Sequence, residues 1–280
     1  VLIPTPHYPC YPNFVRFFGG EPVFVPTDEA SGWHIDPDRV ARAITPRTRA
    51  IVVASPANPT GAVQPRDVME ALASLGPTLV SDEIYDGIVY DGVRTTSALE
   101  VASEAFVVDG FSKRYAMTGF RLGWLAAPEV AMRRLQILQQ NLVISASAFV
   151  QWAGLAALRE GQGTIDTIRD ACAVRRERLV GGLRRLGLGV GRAPEGAFYV
   201  LADARRFGDD SRALASTLLE RAHVGVTPGI DFGEAAEGHL RFCYAVAPET
   251  IDAALERMAP VLANCARAVS AGAGRVEGGA

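Results

Sequence analysis

Residues 50–61 read AIVVASPANPTG, residues 78–87 read TLVSDEIYDG, and residues 105–124 read AFVVDGFSKRYAMTGFRLGW. Each stretch opens with a short, nearly uninterrupted, β-branched apolar run (50–54, 78–81 and 105–108) and then breaks into a polar phrase. Runs of this kind suit strands of a parallel sheet covered on both faces. Between the first two, Val68, Leu72 and Leu75 recur at helical spacing. A strand, a helix and another strand make the βαβ unit of an open α/β sheet. Ligands of such sheets gather at the carboxyl ends of the strands, so the polar tails are where chemistry is expected.

Outward from this centre, the opening VLIP is strand-like and 128–160 is mainly helical. A second long helix, with Thr164 as a possible cap, runs to about Leu186. Strand-like segments follow at 196–203 and 239–245, with helices around 211–222 and 248–263. The order predicts a large α/β domain over 1–157 and a smaller C-terminal α+β domain over 158–265. The Gly/Ala-rich end, 266–280, is expected to be a disordered tail. The chain starts at Val1 directly inside a strand-like run, which suggests that the N-terminal part of the large domain is missing.

Composition narrows the function. The chain has 280 residues, 49% of them hydrophobic, enough for one large core or two smaller ones. A net charge of -3 without runs of like charge leaves no footprint for nucleic acid or a membrane surface. No apolar stretch reaches the length of a membrane span. Cys10, Cys172, Cys243 and Cys265 are widely spaced, which fits reduced thiols in a cytoplasmic protein. His7, His34, His223 and His239 show no metal-ligand spacing, so no metal is expected.

Of the 28 basic residues, one alone is lysine, Lys113, and it sits in the third strand tail. Arginine substitutes for lysine where only charge is needed. It cannot where an uncharged, nucleophilic amine is needed, because guanidinium stays protonated. Taken singly, the tails have ordinary readings: NPTG is a turn sequence, and an Asp-Glu pair often caps a helix. Their succession on consecutive strand ends is more specific.

With SPANPTG, SDEIYDG and FSKRYAMTGFRLG in this order, the chain resembles the class I/II aminotransferases. These belong to the aspartate aminotransferase superfamily of fold type I pyridoxal-phosphate enzymes, and the resemblance spans residues 1 to about 263. It implies a mostly parallel sheet with helices on both faces and a smaller C-terminal domain. It also implies amino-group transfer between an α-amino acid and a 2-oxo acid through a Schiff base at Lys113. Asp82 matches the partner of the pyridine nitrogen, whose protonation makes the cofactor ring an electron sink. Asn58 and Tyr85 match the pair on the cofactor's phenolic oxygen, and Asn58 also reaches substrate. Arg121 matches the phosphate-binding arginine, a role suited to a fork of donors. Ser112 is a further phosphate candidate, although many relatives carry serine where this chain has Gly110. Tyr8 fits the aromatic that stacks on the ring, with Tyr11 close by as an alternative. Arg241, mid-strand between apolar neighbours, matches the arginine for the substrate α-carboxylate, since a buried guanidinium needs an anion.

The resemblance further implies a homodimer. It also places a glycine-containing phosphate cup and a neighbouring-subunit tyrosine upstream of Val1. The segment QQNLVIS (139–145) lacks the arginine with which the aspartate-specific branch holds a side-chain carboxylate. Alternatives on the same fold are a β-lyase or decarboxylase, or the sensor domain of a transcription regulator.

Overall fold

The computed structural model describes residues 1–273. Its larger sheet has six strands in the order β2-β1-β3-β4-β5-β6. These are β1 (Leu2–Thr5), β2 (Val23–Pro26), β3 (Ala50–Ala54), β4 (Thr78–Asp82), β5 (Phe106–Gly110) and β6 (Gly123–Ala126). The first five run parallel, and β6 returns antiparallel to β5. The three quoted runs are therefore neighbours in the sheet. Ile51, Val53, Leu79 and Val107 are buried with Met69 and Leu72 of α3 (Arg66–Ser74). Each such side chain contributes about 1.5–3 kcal/mol through removal from water. The sheet carries the fold expected from its apolar runs and helical spacing.

The smaller sheet is antiparallel, in the order β7-β9-β8, from β7 (Tyr199–Asp203), β8 (Thr227–Pro228) and β9 (His239–Cys243). It packs against α6 (Gln162–Arg185), α7 (Ser211–Ala222) and α8 (Pro248–Ala273), with Leu183, Leu218, Leu240 and Met258 fully buried. Ile88 and Tyr90, from the loop after β4, enter this second core.

Several boundaries differ from expectation. The helical stretch 128–160 is two helices, α4 (Glu129–Leu142) and α5 (Ala148–Glu160). Between them Ile144 takes φ +68, a conformation that a β-branched residue cannot carry on as a helix. The next helix, α6, begins at Gln162 after Gly161, so Thr164 lies inside its first turn rather than capping it. Residues 196–198 precede β7 instead of extending it; Ala197 has φ +57 and its N–H donates to the Ile88 carbonyl. The expected tail is helical as far as Ala273, since α8 continues through 266–273. Alanine-rich sequence extends a helix already nucleated by packed Leu255, Met258 and Leu262 at little cost. Residues 274–280 lie outside the described residues.

The short elements α1 (Cys10–Phe17), α2 (Pro37–Ala43), β2, β6 and β8 were not legible as periodic runs. Local chemistry still accounts for α2: Asp36 caps it by accepting from the N–H groups of Asp38 and Arg39, with Pro37 in its first turn.

Candidate active site

Four adjacent parallel strands, β1, β3, β4 and β5, end on one edge of the sheet. The chain leaving each delivers polar side chains to a single cavity of about 450 Å³. That volume falls within the range of small-molecule sites, about 300–1,000 Å³. After β1 come Tyr8 and Tyr11; after β3, Asn58; at the end of β4, Asp82 and then Tyr85; after β5, Ser112, Lys113 and Arg121. Arg241 and Tyr199 close the cavity from the small sheet. All eight residues singled out from sequence line this one space.

Asp82 is the acid of the cavity floor. Tyr11 donates to its Oδ2 at 2.6 Å, and the N–H of Ile84 donates to Oδ1 at 3.2 Å. Burial nevertheless raises its pKa above the usual carboxylate value, against the pull of Tyr11, Ile84 and Lys113. A cationic partner in the cavity would relieve that strain on the charged form. Burial and the Asp82 carboxylate in turn hold Tyr11 firmly protonated, as a donor. Tyr8 packs edge-on against Tyr11, with ring centroids 5.6 Å apart, and is the more exposed of the two.

Lys113 lies in the turn after β5. Its Nζ sits 5.8 Å from the Tyr85 ring centre and 5.7 Å from that of Phe198. Burial lowers its pKa, and the charges of Arg121 and Arg241 lower it further, against Cys243 and Asp82. The neutral, nucleophilic form of the amine is thereby favoured. The turn is tied down by backbone bonds from Ala116 N to Lys113 O and from Met117 N to Phe111 O, and by Thr118 Oγ1 donating to Ser112 O.

Arg241 occupies the middle of β9, opposite Leu201 and Thr227. Its Nη1 donates to Asn58 Oδ1 at 2.9 Å and its Nη2 to Thr227 Oγ1 at 3.0 Å. The guanidinium stacks over Tyr199 (4.3 Å) and Phe232 (4.9 Å). Its Nε is buried and has no partner, and it forms no ion pair among the described residues. Tyr199 bonds Tyr85, hydroxyl to hydroxyl, at 2.9 Å, and burial pushes both phenols up. The large and small sheets therefore meet at the cavity, through Asn58–Arg241 and Tyr85–Tyr199.

Arg121 sits at the mouth. It is exposed, lines the cavity, and its Nη1 donates to the Thr118 carbonyl. Gly110, where many relatives carry serine, is tightly enclosed: a Cβ there would come within 2.9 Å of Leu122 O and 3.0 Å of Gly123 Cα. Any side chain at 110 would push β6 away from β5. Gly61 is as constrained; it has φ +71, and a Cβ would meet Pro194 at 2.5 Å. That close approach seats the Asn58 turn against the segment leading into β7.

Tyr11, Tyr199 and Thr227 are the contributors that sequence reasoning did not assign. Tyr11 had a signal, its nearness to Tyr8. Tyr199 and Thr227 had none, because their relevance depends on which strand faces Arg241. Outside the cavity, Glu29, Asp203 and His239 bring ligand-type atoms within 4.8 Å of one another, a grouping invisible in their spacing. Arg205 already engages both Asp203 oxygens, and Glu29 faces His239 Nε2 at 3.6 Å.

The match to known proteins is extensive. The family model for "Aminotransferase class I and II" matches residues 1–258. An aspartate/prephenate aminotransferase of Thermus thermophilus is 42% identical over 269 residues, covering 94% of this chain and 69% of that protein. An aromatic-amino-acid aminotransferase of Thermococcus litoralis is 35% identical, over 94% of this chain and 69% of its own length. A solved structure, the aspartate aminotransferase from Thermus thermophilus with maleate, superposes with a TM-score of 0.88 at 43% identity, covering 93% of this chain and 69% of that one. Among the described residues, no helix is long and apolar enough to cross a membrane. With four strand tails and an arginine strand converging on one lysine, and with these relatives, the chain belongs to the class I and II aminotransferases, fold type I enzymes that use pyridoxal phosphate to move an amino group between an amino acid and an oxo acid.

Proposed function

We propose that Lys113 is the residue that holds pyridoxal phosphate covalently, and that Tyr8, Asn58, Asp82, Tyr85, Ser112 and Arg121 bind the cofactor around it. The observation carrying this reading is a half-buried amine of lowered pKa in one cavity with a partly buried carboxylate, phenols and two guanidinium groups. The donor set fits the group: Asp82 offers an anion to a pyridinium nitrogen, Arg121 a fork of free donors to a phosphate, and Tyr8 a ring face. When bound, pyridoxal phosphate accepts the electron pair left at the substrate α-carbon on loss of its proton. Lys113, once displaced by substrate, is the base that takes and returns that proton. Asp82 keeps a positive charge on its partner, and Arg241 with Asn58 orients the substrate α-carboxylate. Tyr85, hydrogen-bonded to Tyr199, would donate to the cofactor's phenolic oxygen together with Asn58.

The substrates proposed are an α-amino acid and a 2-oxo acid, with the side chain unassigned. The protein is proposed to be cytoplasmic, supported by four free cysteines. It is proposed to be a homodimer, supported by the exposed Phe14 and Phe17 of α1, Ile144 between α4 and α5, and Phe149 and Trp152 of α5. We divide it into a cofactor domain over 1–157 and a small domain over 158–265.

Borohydride reduction of the protein loaded with pyridoxal phosphate, followed by peptide mapping, tests the central assignment. The label is expected on Lys113, and a label elsewhere would falsify it. Lys113→Arg keeps the charge and is expected to abolish both label and transamination.

A further inference from the structure

We propose that Arg114 is a positioning residue for Lys113, a clamp that sets the lysine-bearing turn against the tail of β4. The proposal rests on Lys113 being the reactive amine. The two side chains diverge: Lys113 lines the cavity, whereas Arg114 is not among the residues lining it and engages carboxylates instead. There the Arg114 Nη2 reaches the Asp86 carboxylate at 3.0 Å and also bonds the buried Asp109 carboxylate. Its guanidinium lies 5.8 Å from the centre of the Trp124 ring of β6.

Each partner is anchored in turn. Asp109 Oδ1 accepts from the N–H of Gly110 at 2.6 Å, and Asp86 Oδ1 accepts from Thr95 Oγ1 at 2.5 Å. Asp86 directly follows Tyr85, and its own N–H bonds the Glu83 carbonyl within the same turn. One guanidinium therefore joins the turn carrying Lys113, the end of β5 and the turn carrying Asp82 and Tyr85. The distance from Nζ to Asp82 is set by loops on two strands, and Arg114 is a direct charged link between those loops. Loops left to themselves vary by more than the fraction of an ångström that a reacting amine tolerates. Burial pushes the Asp109 carboxyl up to about 7 against the pull of Arg114 and the Gly110 N–H. Arg114 is thus the cation that opposes the effect of burial on Asp109.

The single lysine makes the test specific. With the free cysteines blocked beforehand, trinitrobenzenesulfonate labelling of the apoprotein followed by peptide mapping reads the reactivity of Lys113, the one side-chain amine in this sequence. Arg114→Gln is expected to shift the pH at which Lys113 becomes reactive. With cofactor loaded, it is expected to weaken the circular dichroism of the bound chromophore and lower kcat about tenfold to a hundredfold. KM should stay within about twofold, using L-aspartate or L-phenylalanine with 2-oxoglutarate. A folded Arg114→Gln protein with unchanged labelling, dichroism and kcat overturns the proposal.

Asp86→Asn keeps the Asp109 contact and loosens only the tie to β4. It is expected to move the same readouts in the same direction by a smaller factor. If Arg114→Gln does not fold, an Asp86→Asn protein that folds with all three unchanged overturns the proposal equally. Labelling of the apoprotein needs no cofactor. If borohydride places the cofactor elsewhere, the Lys113 reading fails while the effect of Arg114 on the Lys113 amine is still measured.

Discussion

Arg114 and Arg241 are both largely buried guanidinium groups that stack on aromatic rings, yet their surroundings differ in one respect. Arg114 is held by two carboxylates, Asp109 and Asp86. Arg241 is held only by neutral oxygens, from Asn58 and Thr227, and its Nε has no partner. A buried positive charge without an anion is costly, whereas one matched by carboxylates is a fixed part of the fold. The contrast fits the roles proposed for them, Arg114 holding the site together and Arg241 receiving a substrate carboxylate. Composition does not distinguish them.

The sharpest way to break this contrast is to remove each arginine in turn. Arg241→Ala is expected to raise KM and lower kcat/KM for amino acids by roughly 30- to 4,000-fold, since losing one partner of a buried charge pair costs about 2–5 kcal/mol. The thermal midpoint of the apoprotein should hold or rise, because an unmatched charge has gone. A midpoint that falls in step with activity would make Arg241 structural. Arg114→Ala should do the reverse to stability. It leaves Asp109 and Asp86 facing each other without a cation, at a cost of about 3 kcal/mol in denaturant unfolding.

A smaller effect sharpens the electrostatics of Lys113, which burial, Arg121 and Arg241 hold below its ordinary value of 10.5. A lowered lysine pKa means the folded state disfavours the charged form. The resulting penalty on stability is fully present below the lowered pKa and disappears as pH rises towards 10.5. Lys113→Met is therefore expected to stabilise the apoprotein at neutral pH, with the gain shrinking at high pH in denaturant titrations. Arg121→Gln should move the pH profile of Lys113 labelling upward. Smallest of all is Asp210→Ala, which removes the cap accepting from the N–H groups of Arg212 and Ala213 at α7. It should cost about 1 kcal/mol and leave kinetics unchanged, because α7 lies away from the cavity.

The large sheet was readable because its strands are covered on both faces and so are written as unbroken β-branched runs. Strands β2 and β6 escaped notice because they are short and partly exposed, with burial patterns that follow no run. Residues 266–273 of the expected tail turned out helical because alanine and glycine composition says nothing of the packed helix they continue. In the site, Lys113, Asp82, Asn58, Tyr85 and Arg121 stood out as strand-end residues within a specific phrase. The phenol bonded to Asp82 was not identifiable from spacing, since Tyr8 and Tyr11 are equally near.

Sequence alone thus determined that this chain builds a parallel sheet, and that its one lysine lies at a strand's carboxyl end beside the tails of its neighbours. Those are local matters, set by the period of apolar residues and by the direction of parallel strands. Which arginine is neutralised, which tyrosine meets Asp82, and that Tyr199 and Thr227 share the site were decided only by the tertiary structure. Each depends on charge and hydrogen-bond partners brought together from 5 to 183 residues away, as with Asp109 on Arg114 and Asn58 on Arg241. Pairing of that range is settled by how the two sheets pack against each other, because a buried polar group is defined by its final neighbours and not by its place in the chain.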